Sequence, residues 1–371
     1  MASTFNSGFV WDHRYIVSEA VGNGAFGTVW RAVERESGEP CAIKRVALDE
    51  RYQNRELSMM QQLSHENVVR LRNWFSTNEG DCTWLHLVMD FMPCTLRSLQ
   101  ARILQQQRGF PPLLLKILMW QLLQALRYIH DAGIAHRDLK PDNVLCDPRT
   151  HKLQLCDFGC SKRLVSGKPN IFYICALFYR APELLLGATT YGAPVDCWAL
   201  GCMFGELLLH RPLMPGTSEL RQLELMCALL GTPSAAIWPE FPALPLTPKV
   251  QLPAQPYNEL PSRLAKARPT GAALDLVGAL LTYDPARRCT ADGALAHGYF
   301  AEPPAAVVPD MCRAAPSSAK ESEPAGLFAP EKGAENRCAA LLPTAAPARK
   351  RPREARLPSP ASVAAEEPRK L

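Results

Sequence analysis

With 371 residues, 47% of them hydrophobic and 21% charged, the chain can bury a large core and has the composition of a globular protein of about two lobes. The net charge of +5 is mild and forms no compact basic face within the part expected to fold, so nucleic acid is not an expected partner. The 13 cysteines are scattered without a CxxC pair, which speaks against metal clusters and disulfide frameworks and for a reducing compartment.

The opening MASTFNSGFVWDHR has no apolar signal core, and residues 1–12 read as a loose lead-in. From His13 to Val46 the pattern is strand-like and punctuated by glycines. Within it stands Gly22-Asn23-Gly24-Ala25-Phe26-Gly27-Thr28-Val29. Glycines let backbone amides approach phosphates where a side chain would collide. A GxGxxG of the dinucleotide type needs a helix directly after it. Here Thr28-Val-Trp-Arg-Ala-Val33 is β-prone, so the segment reads as a glycine hairpin.

Lys44 closes the strand-forming run Cys41-Ala-Ile-Lys44. Taken alone it is a surface lysine. Glu56 lies twelve residues on, inside the helical stretch Arg55 to Leu63, and offers it a carboxylate. Leu57, Met60 and Leu63 read as one apolar packing stripe of that helix. Strands are expected at Val68 to Phe75 and Trp84 to Met89, broken by Asp90-Phe-Met-Pro93. A long helix from Pro112 to Ala132 should stop at Gly133. Its apolar stretch Leu113 to Ile129 carries Lys116, Gln121, Gln124 and Arg127 at helical spacing, so it reads as a core helix. No uninterrupted apolar run reaches the ~18 residues of a membrane span.

The stretch from Ile134 to Glu183 organises the rest. It holds His136-Arg137-Asp138, Lys140, Asn143, then Asp157-Phe158-Gly159, and closes on Ala181-Pro182-Glu183. Oxygen-bearing side chains on two short loops suit a reaction that must hold Mg²⁺ and a hydroxyl together, which is phosphoryl transfer. Singly, each aspartate is an ordinary solvated loop residue; the ordered set, with the glycine hairpin and Lys44 upstream, matches a kinase signature. Beyond it, Asp196-Cys-Trp198 begins an apolar helix running to Leu209, and Pro233 to Pro261 is a proline-rich insert. From Ala301 proline, alanine, serine and charge dominate, so residues 301–371 are expected to be disordered. The basic cluster Arg349-Lys-Arg-Pro-Arg353 reads as a solvated charge run, with nuclear import or an acidic partner as the sharper alternative.

On these motifs the chain resembles the eukaryotic protein kinases over residues 15–300. The resemblance implies an α+β bilobal fold, with a small β-rich N-lobe at 13–90 and a larger helical C-lobe at 91–300, using ATP and Mg²⁺ on protein substrates. It assigns Asp138 as the base or orienter of the acceptor hydroxyl, Lys140 to the γ-phosphate, and Asn143 and Asp157 to Mg²⁺. Lys44 would hold the α- and β-phosphates, steadied by Glu56. The nucleotide would lie against Val21, Gly22, Asn23, Gly24, Ala25, Phe26, Gly27, Val29, Ala42 and Leu145. Met89 would sit behind the ring, and the backbone of Asp90 to Met92 would meet its edge. Asp196 would accept hydrogen bonds from the catalytic loop, and Glu183 would pair with Arg288 as an interior brace.

Lys140 is similar to the lysine of Ser/Thr kinases. The motif Leu230-Gly-Thr-Pro233 and the insert after it resemble the group of cyclin-dependent, MAP and glycogen synthase kinases. Asn54-Arg-Glu-Leu57, Val69-Arg-Leu-Arg72 and Asn170-Ile-Phe-Tyr-Ile-Cys175 resemble the glycogen synthase kinase (shaggy) family. That family reads a phosphate already on its substrate through a basic trio, whose positions fall on Arg55, Arg137 and Lys162. Tyr173 matches its activation-loop phosphotyrosine. There are departures. Ala176 stands where most Ser/Thr kinases place a hydroxyl between Asp138 and Lys140, which implies looser alignment and lower turnover. Leu177 replaces an arginine, leaving Arg180 to meet a phosphate on Tyr173. Ile237-Trp-Pro-Glu-Phe241 and Leu281-Thr-Tyr-Asp-Pro285 look closer to cyclin-dependent kinases, so an activating or scaffold partner is the second reading. A pseudokinase scaffold is the third; against it, Lys44, Glu56, Asp138, Lys140, Asn143 and Asp157 are all present. The expected location is cytoplasmic, with nuclear entry tied to the basic cluster.

Overall fold

The computed structural model describes residues 11–24, 27–48, 54–106 and 109–301. The lead-in up to residue 10, Ala25 and Phe26, and the tail from residue 302 with its basic cluster lie outside the described residues.

The first part is a five-stranded antiparallel sheet. Its strands are β1 (Tyr15–Gly24), β2 (Gly27–Glu34), β3 (Pro40–Leu48), then, after helix α1 (Arg55–Met60), β4 (Leu71–Glu79) and β5 (Cys82–Asp90). They lie in the order β1-β2-β3-β5-β4. Asn23 pairs with Thr28 and Gly24 with Gly27, so the glycine segment is a β-hairpin, as the β-prone residues after it require. Gly27 cannot be anything else. Its φ is 132°, and a Cβ there would fall 2.1 Å from the Arg45 carbonyl oxygen on β3. One face of the sheet carries a small apolar cluster of Tyr15, Val17, Ala32, Cys41, Ile43 and Val88. Trp11, at the end of the expected lead-in, packs edge-on against Trp30 with centroids 5.6 Å apart.

Two expectations are corrected here. The helix holding Glu56 ends at Met60, not Leu63. Leu63 is still buried at 6% exposure, but from the turn that follows, where the backbone no longer has a helical period. The expected strand from Val68 begins only at Leu71, because Val68 is spent on an isolated bridge to Leu155.

The second part is helical. After β6 (Cys94–Thr95) come α2 (Leu96–Gln105) and α3 (Pro112–Asp131). The chain then reverses at Gly133, with φ 70°, into β7 (Ile134–Ala135), β8 (Val144–Cys146), β9 (Leu153–Leu155) and β10 (Lys162–Arg163). Helices α4 (Pro182–Leu185), α5 (Pro194–Leu209), α6 (Glu219–Leu230), α7 (Leu260–Leu264), α8 (Gly271–Leu280) and α9 (Ala291–Leu295) complete it. Helix α5 is buried almost all round, from Val195 to Leu207, and so is the axis of this lobe. A Cβ on its Gly201 would sit 2.9 Å from Leu280, which is how closely α8 approaches it. The proline-rich insert forms two short 3-10 turns, Phe241–Ala243 and Thr247–Lys249. No helix of the described residues is long and apolar enough to cross a membrane. Sheet first and helices after is the α+β bilobal arrangement expected.

Candidate active site

Three elements converge on one ammonium. Lys44 lies in β3, where register with Val29 on β2 and Leu87 on β5 fixes its backbone. Its Nζ is 2.7 and 2.8 Å from the two carboxylate oxygens of Glu56 and 2.9 Å from Asp157 Oδ1. Helix α1 is short, and the Asn54 side chain starts it by accepting from the Leu57 amide at 3.0 Å. Burial works against the charge on Lys44, but the carboxylates of Glu56 and Asp157 outweigh it and hold its pKa above the usual value. For Asp157 burial also opposes ionisation, and Lys44 again reverses the sign, leaving its carboxyl below the usual range.

The catalytic-loop candidates form a second cluster. Lys140 Nζ lies 2.7 Å from Asp138 Oδ2. Asn143 Nδ2 donates to the same oxygen at 2.9 Å and to the Asp138 carbonyl at 2.8 Å. A 3-10 turn, Pro141–Asn143, brings Asn143 back to Asp138. The loop is held from below by Asp196 at the start of α5. It accepts from the backbone amides of His136 at 2.7 Å and Arg137 at 2.8 Å, and it pairs with His130 Nε2 at 3.0 Å. Asp196 is 1% exposed. Burial alone would raise its pKa, but the hydrogen bond from His130 and the neighbouring donors keep it lowered. Arg137 and Asp157 both have positive φ, 66° and 63°. Such conformations are costly for these residue types and cluster where a loop is over-determined by its surroundings.

The brace expected between Glu183 and Arg288 is present and buried, at 2.7 and 2.9 Å. The basic trio is only partly assembled. The Arg137 guanidinium donates to the Cys160 carbonyl at 2.7 Å and to the Tyr191 hydroxyl at 3.0 Å. Lys162, on the β7–β10 ladder, donates to Asn170 Oδ1 at 2.6 Å. Arg55 is exposed on α1, and no contact among the described residues joins it to the other two. Tyr173 is 69% exposed with its ring 4.5 Å from the Arg180 guanidinium carbon. Arg180 itself is tied to the Cys175 carbonyl at 3.0 Å and to Glu219 at 2.6 Å.

Of the nucleotide candidates, Val29 and Ala42 stand on β2 and β3, and Leu145 on β8 in the other lobe. Met89 is buried at the end of β5, and the Asp90 carboxylate is turned aside to Arg72 at 2.5 Å. Asp157 and Asn143 offer carboxylate and amide oxygens, a donor set suited to a hard cation. Among the described residues no group of three His, Cys, Asp or Glu could hold an ion.

Sequence reasoning missed a quartet beneath this loop, with Glu206 and Tyr179 buried and Asp142 at the surface. Arg97 on α2 reaches Glu206 at 2.5 Å, the Tyr179 hydroxyl at 2.9 Å and Asp142 at 3.2 Å. The Tyr179 hydroxyl donates to Glu206 at 2.5 Å. Asp142 directly precedes Asn143, so the quartet pins the turn that aims it.

The family model of the protein kinase domain matches residues 15–300. The chain belongs to that family. Membership makes it an ATP-dependent phosphotransferase acting on protein substrates, with a divalent cation in the reaction.

Proposed function

We propose that this kinase phosphorylates Ser or Thr hydroxyls, and prefers proteins already phosphorylated about four residues C-terminal to the target. The Ser/Thr reading rests on the 2.7 Å contact of Lys140 with Asp138, which puts a cation beside the acceptor base. In it, Asp138 orients the acceptor hydroxyl and takes its proton, and Lys140 faces the charge of the transferring group. Lys44 holds the donor phosphates, with Glu56 fixing its position. Asn143 and Asp157 hold the cation, read here as Mg²⁺, which when bound neutralises phosphate charge. The adenine lies between Val29 and Ala42 above and Leu145 below, with Met89 behind it.

The primed-substrate reading draws on Arg137 of the catalytic loop and on Lys162, whose strand β10 pairs with β7 just ahead of that loop. Arg55 is the free cation of the trio among the described residues and would swing to a phosphate presented there. Two peptides carrying Ser-x-x-x-Ser, one with the second serine phosphorylated, test this with purified protein. Strong preference for the primed peptide is expected, and Arg55→Ala should erase it. Equal transfer would leave an unprimed Ser/Thr kinase.

The Lys44–Glu56 pair is already closed in the chain alone, which favours activity without a partner that presses α1 inward. Asp138→Asn should abolish transfer; a cellular role that survived it would be that of a scaffold. We also place the protein in the cytoplasm, with nuclear entry through Arg349 to Arg353. Unchanged nuclear entry after deletion of residues 345–371 would remove the import role.

A further inference from the structure

Directly after the lobe crossover, Cys94 on β6 pairs in register with Cys146 on β8. Their sulfurs are 3.6 Å apart, and Cys94 Sγ also donates to the Cys146 carbonyl at 3.3 Å. Both are thiols. Register partners on antiparallel strands have Cα atoms about 4.5–5.5 Å apart. A disulfide needs about 4.4–6.8 Å, so these two can be bridged with side-chain rotation alone. Leu145, the proposed floor of the nucleotide site, is the residue beside Cys146 and points to the opposite face of the strand. Neither sulfur has a part in phosphoryl transfer.

We propose that Cys94 and Cys146 are a modification site: a hydroperoxide converts them to a disulfide in the folded kinase, tying the strand after the hinge to the strand under the nucleotide. Cys94 is 8% exposed and Cys146 1%, so oxidant meets Cys94 first. The hydrogen bond from Cys146 also draws the Cys94 thiol below its ordinary pKa, while that same bond and burial hold Cys146 well above it. The Cys94 thiolate attacks a peroxide oxygen. An S–O bond forms, the O–O bond breaks, and the leaving oxygen departs as hydroxide or alkoxide and is protonated. The Cys146 sulfur then attacks Cys94. An S–S bond forms, the S–OH bond breaks, and hydroxide leaves with the Cys146 proton as water. Two thiols lose two electrons and the peroxide gains them.

The test treats full-length native protein with hydrogen peroxide, quenches with acid, alkylates free thiols and maps the peptides. The expected result is a dithiothreitol-sensitive link between the peptides holding Cys94 and Cys146. It should come with a rise in melting temperature of about 5 °C, because the bridge closes a long loop. Cys94→Ser should show no such rise. Recovery of both cysteines as alkylated thiols at a dose that oxidises the exposed Cys82 would overturn the proposal. So would Cys94 found as a sulfinic acid with Cys146 still free. The mapping needs only the natural chain, so a variant that fails to fold does not decide it.

Discussion

Ala176 is where a single atom has most to say about rate. It is half-buried, and its carbonyl accepts the Tyr179 amide at 2.9 Å. Asp138 and Lys140 meet each other directly, without a hydroxyl between them. In most Ser/Thr kinases a hydroxyl at this position bridges that pair, and a serine here would by that resemblance add one hydrogen bond, worth about 0.5–1.5 kcal/mol net. Ala176→Ser should therefore raise kcat about two- to tenfold at saturating ATP, measured by phosphate transfer to a peptide. An unchanged kcat would mean the direct ion pair aligns the base on its own. The residues proposed for the reaction stand out in the sequence because they come in tight, ordered strings: Asp138, Lys140 and Asn143 within one loop, and Asp157 at the head of the next. Arg97 and Glu206 were not legible. They are 109 positions apart, and only the fold brings a buried carboxylate to that guanidinium.

Helix α1 shows the same limit for an element. The spacing of Leu57, Met60 and Leu63 is helical, yet the helix stops at Met60 because apolar period alone does not distinguish a helix from a turn packed on the same core. Its start is better determined, since Asn54 has the side chain to satisfy the Leu57 amide. Glu56 is two residues inside that cap. Asn54→Ala should cost about 1 kcal/mol of stability. It should also lower kcat/KM for ATP about fivefold, as free energy of that size is lost from the position of Glu56. Chemical denaturation and steady-state kinetics on one preparation check both. A stability loss with unaltered kinetics would show that β3 and Asp157 hold Lys44 without the helix. The glycine hairpin was the most readable part, because the β-prone run after Gly27 excludes the helix that a dinucleotide loop needs. The bridge from Val68 to Leu155 was unreadable, since it joins two segments that sequence order keeps far apart.

For the whole molecule, acid should act in two stages. His86 is buried, stacked on Phe75 with centroids 4.6 Å apart, and its Nε2 meets the Thr77 hydroxyl at 2.9 Å. Burial, with Arg45 adding to it against a smaller opposing pull from Glu79, pushes its pKa down to about 4. A neutral ring is thus favoured by folding. The stability it contributes is whole above the unfolded value of about 6.5 and declines as pH falls towards 4. Asp196 is the second stage. Its folded pKa is lowered, so its contribution is complete above about pH 4 and is lost below that. Melting temperature against pH should begin to fall below about 6.5 and go on falling below about 4. His86→Phe should flatten the upper limb and Asp196→Asn the lower. An upper limb that persists in His86→Phe would assign it to other groups.

The ammonium of Lys44 can be seen, finally, as a logical AND. Its three contacts, two from Glu56 on a helix and one from Asp157 on a loop, come from 12 and 113 residues away in sequence, and from both lobes. One cation is satisfied only when both carboxylates arrive together. A truncated, half-synthesised or unzipped chain leaves at least one input blank, and the output is zero rather than a fraction. The same three oxygens around the proposed phosphate-holding lysine therefore act as a checksum on the assembly of the whole domain.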